Sequence, residues 1–379
     1  NYTIVAISAA GCVSDPQVVT ITIAPEPVVS TTLDKSVCSD LPIALTLNTN
    51  GTSIGAADYN IINQTIAAGL TPGGANAVVP ANGVAAAYLA SNVFTNNTNG
   101  PLTVTYTVVP RSAGNCFGNS RLITVTINPE PVLSPALDRT ACSDVNIGLV
   151  LNTNGTSVAA GSYNIVTRTI APGLTANASN VVVPASNVAA NYLSADQFTN
   201  TGNLPLAVTY QVVPVSAAGC LGDAVTVTVT IDPEPVVANG LDRTECSDLP
   251  IGLTLNTNGT SVAAATYNIT SITVAGGLTA NAGNVAVPAT GVAANYLAGH
   301  IFTNTTSGSL TVTYIVVPVS GAGCAGDPKT ITVTIDPEPV ISAGLDRTVC
   351  SDVASGLVIT TLGTSVPAAS YNVTAIAVD

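Results

Sequence analysis

Leu206-Ala207-Val208-Thr209-Tyr210-Gln211-Val212 and, after a short loop, Ala224-Val225-Thr226-Val227-Thr228-Val229-Thr230-Ile231 alternate apolar and polar residues with a period of two. On an extended backbone residues two apart share a face, so Val225, Val227, Val229 and Ile231 fall on one side and Thr226, Thr228 and Thr230 on the other. Each segment reads as a half-buried strand. Their connection, Ser216-Ala217-Ala218-Gly219-Cys220-Leu221-Gly222, is short and glycine-containing, which suits a hairpin loop and makes the two strands antiparallel neighbours.

Working outward, Ile147 to Thr153 reads as another strand, ended by Asn154-Gly155, a common tight-turn pair. Ser162 to Ile170 and Asn180 to Val183 add two more, and only Val188 to Phe198 has a helical look, with room for a turn or two. Six to eight short strands with no long helix predict an all-β fold, a two-sheet antiparallel sandwich of immunoglobulin-like type.

The same pattern returns every 104 residues. Cys38, Cys142, Cys246 and Cys350 form one column at that spacing, and Cys12, Cys116, Cys220 and Cys324 form a second. Pro-Glu-Pro recurs in register at Pro25-Glu26-Pro27, Pro129-Glu130-Pro131, Pro233-Glu234-Pro235 and Pro337-Glu338-Pro339. A period of this length predicts a string of small domains and not a solenoid. Complete copies are expected at 25–128, 129–232 and 233–336, with the end of a preceding module at 1–24 and the beginning of a following one at 337–379. The chain therefore reads as a piece of a longer polypeptide. Between copies a Val/Thr strand runs straight into the prolines, which fix φ and favour extended neighbours, so the linkers should be short and semi-rigid. Strands of roughly ten residues give modules about 35–45 Å long and a rod on the order of 130–160 Å.

Composition narrows the function classes. Hydrophobic residues make up 47% of the chain, yet there are four Phe and no Trp or Met, so the apolar content is Val, Ile, Leu and Ala. That is β-rich usage. No window is long and apolar enough to read as a membrane span. A net charge of −13 with eight Lys and Arg argues against nucleic acid or anionic lipid as a partner, since both need a basic patch. No nucleophile elbow, phosphate loop, H-E-x-x-H helix or carboxylate pair beside a histidine is present, so catalysis is not expected.

The cysteines lack the close spacing of zinc or redox sites and read as structural disulfides. Three pairings are open. Pairing within a module joins Cys38 to Cys116, Cys142 to Cys220 and Cys246 to Cys324, and is the leading expectation. If the two columns sit at opposite poles, Cys38 instead meets Cys220 and the bridges staple neighbours. Pairing across the linker, Cys12 with Cys38, satisfies all eight. Tyr106, Tyr210 and Tyr314 recur in register with Tyr2 and read as core anchors resembling the tyrosine corner of such sandwiches. Tyr59 and Tyr88 head two further columns. Asp34 and Asp40, with their repeats, read as turn caps that accept backbone N–H groups. No cofactor is expected; the one alternative is interdomain calcium held by these carboxylates with Glu130, in the absence of any dense Asp-rich loop. His300 reads as a surface variation, and Asn50, Asn154 and Asn258, which head Asn-Gly-Thr, read as turn residues.

Val-Thr-Tyr-x-Val-Val-Pro at 104–110, 208–214 and 312–318, a following Gly and Cys, and Leu-Asp-Arg-Thr-x-Cys-Ser-Asp at 137–144 and 345–352 support a resemblance. These motifs are similar to the PKD-like, immunoglobulin-like repeats of very large Bacteroidota surface proteins, among them the gliding-motility adhesins exported by the type 9 secretion system. The family commonly has Cys-Ser-Gly where this chain has Cys-Ser-Asp. The resemblance implies an extracellular, outer-membrane-associated stalk whose partners are further copies of the same module and the secretion or motility machinery. A second reading makes each module a weak binder of surface polysaccharide acting by avidity, through loops such as Asn96-Asn97-Thr98-Asn99, Asn200-Thr201-Gly202-Asn203 and Asn304-Thr305-Thr306-Ser307. A third, an accessory region of an enzyme, requires a catalytic domain elsewhere.

Overall fold

In the computed structural model, which describes residues 1–377, the chain is a tandem array of β-sandwich units, and no helix occurs among the described residues. The central unit contains the strands Arg139–Cys142, Ala160–Ile170, Thr175–Ala176, Ala185–Val188, Phe198–Thr199, Leu206–Ser216 and Val225–Asp232. Five form one sheet, in the order Arg139–Cys142, Val225–Asp232, Leu206–Ser216, Ala160–Ile170, Ala185–Val188, and the two shortest pair with each other. The same arrangement recurs over Lys35–Asn128 and Arg243–Asp336.

The hairpin expected from the alternating pattern is present, in register from Leu206 opposite Ile231 to Val212 opposite Val225. Its inward residues Val208, Tyr210, Val212, Val227, Val229 and Ile231 are buried against Ile147, Leu149, Leu151, Leu193 and Phe198 of the opposing layer. Each such side chain contributes about 1.5–3 kcal/mol by leaving water, whereas only three salt bridges occur among the described residues.

The first strand of each unit lies parallel, not antiparallel, to the last. Arg139–Cys142 pairs with Val229–Asp232, which sets Cys142 opposite Asp232. Cys38 likewise stands opposite Asn128, and Cys246 opposite Asp336.

Three expected elements differ. Ile147 to Thr153 is not a ladder strand: its alternate residues are buried, but the Ile147 and Leu151 N–H groups donate to the Asp196 and Ala190 carbonyls at 2.8 Å. Asn180 to Val183 is irregular because side chains replace the ladder. The Val181 N–H donates to Asp196 Oδ1 at 2.8 Å, and Asn180 bonds both backbone groups of Gln197. Val188 to Phe198 closes as turns, with Tyr192 and Asp196 donating to the carbonyls three residues back, and forms no helix.

The glycine after each loop cysteine is held by a close approach. A Cβ at Gly118, Gly222 or Gly326 would stand 1.8, 1.9 or 1.9 Å from the carbonyl oxygen of Pro27, Pro131 or Pro235. That oxygen belongs to the incoming linker, so the glycine lets the hairpin loop seat on it. Gly326→Ala should lower the thermal unfolding midpoint, with an overpacking cost of about 1–3 kcal/mol. Gly321→Ala in the same loop, where a Cβ meets nothing within 4 Å, should not. Equal midpoints would contradict the packing account.

Candidate functional site

The chemistry of the molecule collects where one unit meets the next. The last strand ends at Asp232 and enters Pro233-Glu234-Pro235, and all three linker residues are buried, as are Pro129 and Pro131 at the preceding joint. Pro25 and Pro339 are exposed, and Pro27 is buried beneath its own hairpin loop. The inner linkers are thus packed surfaces and not free tethers.

Beside each inner linker runs a second covalent connection. Cys38 is bonded to Cys220 and Cys142 to Cys324, both across a sequence separation of 182, with Cα–Cα distances of 5.4 and 5.3 Å. This overturns the leading expectation of pairing within a module, and Cys12 is not joined to Cys38 either. Cys12, Cys116, Cys246 and Cys350 carry free thiols. The parallel ladder supplies the reason. It places Cys142 at the finish of the last strand, while Cys220 lies in the loop that begins it. Eight residues of strand span about 27 Å, far beyond the roughly 7 Å that a disulfide allows between Cα atoms. Cys142 therefore faces the next unit's hairpin loop.

A set of carboxyl groups sits beside each disulfide. Glu130 is pushed up to about 7 by burial, then by the negative charges of Asp40 and Asp223. Glu234, 3% exposed, is also raised to about 7 by burial and then by Asp144 and Asp327, with the Ser143 hydroxyl opposing. At the following joint, where Cys246 is free, Glu338 is raised by burial and then by the neighbouring Asp248. Asp40, Asp144 and Asp248 come from the Cys-Ser-Asp turn of the unit before, and Asp223 and Asp327 from the hairpin loop of the unit that the linker enters. Asp40, Asp144 and Asp248 have φ of 61°, 58° and 61°, and accept hydroxyl bonds from Thr95, Thr199 and Thr303. Asn200 ties the joint together: its Nδ2 donates to the Ile231 carbonyl at 2.9 Å, and its own carbonyl accepts the Glu234 N–H at 3.0 Å.

Among the described residues no group of three or more His, Cys, Asp or Glu side chains is arranged to hold a metal ion. Asp34, Asp138 and Asp242 lie within their units and accept the Thr124, Thr228 and Thr332 N–H groups of the last strand. Each Asn-rich loop turns its first residue inward, whereas Asn97, Asn99, Thr201, Asn203, Thr305 and Ser307 are exposed. Asn96, Asn200 and Asn304 are at most 2% exposed and spend their amides on backbone carbonyls. Asn50, Asn154 and Asn258 accept N–H groups of the two or three residues that follow, as Asx turns.

Tyr106, Tyr210 and Tyr314 are fully buried, but their hydroxyls bond side chains and not backbone. Tyr106 accepts from Asn92 and Gln64, Tyr210 donates to Asp196, and Tyr314 meets His300 Nδ1 at 2.9 Å. His300 is 1% exposed, so the surface reading of it is wrong. Strict 104-residue spacing aligns it with Asn92 and Asp196, each fourteen residues before its tyrosine, and that signal locates it. The partners vary together: Gln64 with Asn92, Arg168 with Asp196 at 3.3 Å, and Ile272 in the unit of His300. The backbone-bonding tyrosines are Tyr88, Tyr192 and Tyr296, which donate to the carbonyls of Val78, Val182 and Ala286.

Two pH dependences of opposite sign follow. A glutamate raised in the folded state stabilises the joint fully below its ordinary value and loses that contribution as pH rises through about 7. The protection factor of the residue 234 N–H, the intrinsic exchange rate divided by the observed rate at each pH, should therefore fall between pH 5 and 8, and Glu234→Gln should flatten that fall; an unchanged pH dependence of protection in the variant would contradict the assignment. Burial lowers His300, so the third unit keeps its stability above 6.5 and loses it as pH falls below that value. Exchange protection of Val312 to Val316 should fall on acidification and cease to do so in His300→Gln, whereas persistence of the pH effect would exclude His300 as its source.

Among solved structures, the chain is similar to human CDH23 EC21-23 at 14% identity, covering 81% of this chain and 99% of that one, with a TM-score of 0.27. It is similar to the sialic acid binding region of the Streptococcus Sanguinis SK1 adhesin at 12% identity, covering 84% and 81%, TM-score 0.18. Bacteroides ovatus SGBP-B is matched at 14% identity over 87% and 76%, TM-score 0.15. Similarity at this level carries no functional information. No curated protein matches the sequence. The PKD-like domain family matches residues 35–131, 141–235 and 278–339, more than half of the length, and the chain belongs to that family.

Proposed function

We propose that this chain is a spacer segment of a secreted cell-surface stalk, whose work is to hold an adhesive part at a distance from the cell. The observation that carries the reading is the doubly tied joint, in which a buried proline linker and a disulfide connect the same two units. A single flexible linker permits bending and rotation, whereas two covalent connections side by side oppose both. Disulfides form and persist outside the reducing cytosol, which supports an extracellular location. Near-identical units without a divergent pocket support a structural role over a catalytic one.

In this reading the modules are 25–128, 129–232 and 233–336, with parts of further modules at 1–24 and 337–379, and the nearest partners are more copies in the same polypeptide. The class of stalk is that of the Bacteroidota gliding-motility adhesins, exported by the type 9 system and associated with the outer membrane. The polysaccharide-binding alternative rests on the exposed remainder of those loops, such as Asn97, Asn99 and Asn203, because the buried amides of Asn96, Asn200 and Asn304 are already spent on backbone carbonyls.

Small-angle scattering of the oxidised chain tests the reading. A rod on the order of 130–160 Å has a radius of gyration of roughly 40 Å. A compact particle of 379 residues would give about 21 Å. A value near the rod is expected, and one near the compact particle would contradict the stalk.

A further inference from the structure

Two short segments cross every unit from pole to pole. In the second unit one runs from the incoming linker at Pro131 to Cys142, and the other from Cys220 to the outgoing linker at Asp232. They lie side by side as the parallel pair, Arg139 opposite Val229 through Cys142 opposite Asp232. Each spans the unit in about a dozen residues, close to the length of an extended chain over that distance.

Followed through covalent bonds alone, these segments join into two routes. One enters from Asn128, passes the Pro129-Glu130-Pro131 linker to Cys142, crosses the disulfide to Cys324 and follows Lys329–Asp336 into the next linker. The other crosses from Cys38 to Cys220, follows Val225–Asp232 and passes Pro233-Glu234-Pro235 to Cys246. At each joint one route uses the linker and the other the disulfide, and at the next joint they exchange. Neither enters 143–219 of the second unit or 247–323 of the third.

We propose that, within the stalk reading, the array bears tension through two continuous covalent strands, hydrogen-bonded to each other by the parallel ladder of every unit. The greater part of each sandwich lies outside the load path. Unfolding a unit then adds no length, and the stalk keeps its reach under a pull that would lengthen an ordinary tandem array. The free thiol of Cys246 is where the second route leaves the bonded part of the chain, and Cys116 is where the first would be entered.

Single-molecule stretching of the whole chain, with handles attached through bio-orthogonal side chains at the exposed positions 120 and 346, tests this. The covalent route between them through Cys142–Cys324 is 44 residues, 22 on each side of the bond, and without disulfides it is 226. At ~3.5 Å per residue the oxidised chain should stop at about 150 Å and the reduced chain at about 790 Å, a fivefold difference. Pairing within units would instead give a 70-residue route of about 245 Å. The double variant Cys142→Ser, Cys324→Ser keeps Cys38–Cys220 but should reach about 730 Å, near the reduced length. An oxidised chain that lengthens to about 245 Å or beyond, or a variant that still stops near 150 Å, overturns the proposal. Rod-like scattering from a chain that lengthens in this way would defeat the two-route account and leave the stalk reading standing; compact scattering would defeat the stalk reading whatever the extension.

Discussion

Four residues at the start of each unit pair in parallel with the end of its last strand, and the joints depend on that choice of direction. Parallel strands share their starting pole and their finishing pole. Cys142 and Asp232 therefore arrive together at the same edge, one to make a disulfide and the other to enter a linker. At the opposite edge the loop carrying Cys220 rests on the incoming linker, with Gly222 against the Pro131 carbonyl. Reversal of that one short strand would move the first cysteine to the other pole and bring it within reach of its own unit's loop. The ladder thus decides whether the bridges lock units singly or link them in series.

The joint also concentrates the little charge that the chain has. With only eight Lys and Arg in 379 residues, no cation offsets Glu234 beside Asp144 and Asp327, and burial leaves protonation as the available relief. Within each unit, Asn92, Asp196 and His300 solve one problem in three ways, since a buried tyrosine hydroxyl needs a partner. The scaffold constrains position more tightly than chemistry.

Much of the architecture was legible because it rests on local periodicity. The hairpin of Leu206–Ser216 and Val225–Asp232 is written in its alternation, and the 104-residue register gives the tandem array directly. Ile147 to Thr153 showed its burial but not its bonding, because its partners are carbonyls of a turn some forty residues away whose position depends on tertiary packing. The disulfide pairing was legible only as one of three alternatives, the one that staples neighbours, since a four-residue strand such as Arg139–Cys142 reads the same in either direction and leaves the pole of its cysteine open. Buried His300 was hidden because a position occupied by different polar residues in different copies reads as surface variation; strict 104-residue register aligns it with Asn92 and Asp196, which likewise bond the buried tyrosine of their own units.

The central claim is that sulfur joins each unit to its neighbour and not to itself. Proteolysis under non-reducing conditions followed by mass spectrometry of the linked peptides tests it most directly. The account predicts peptides joining Cys38 to Cys220 and Cys142 to Cys324. Peptides joining Cys38 to Cys116 and Cys142 to Cys220 would contradict it.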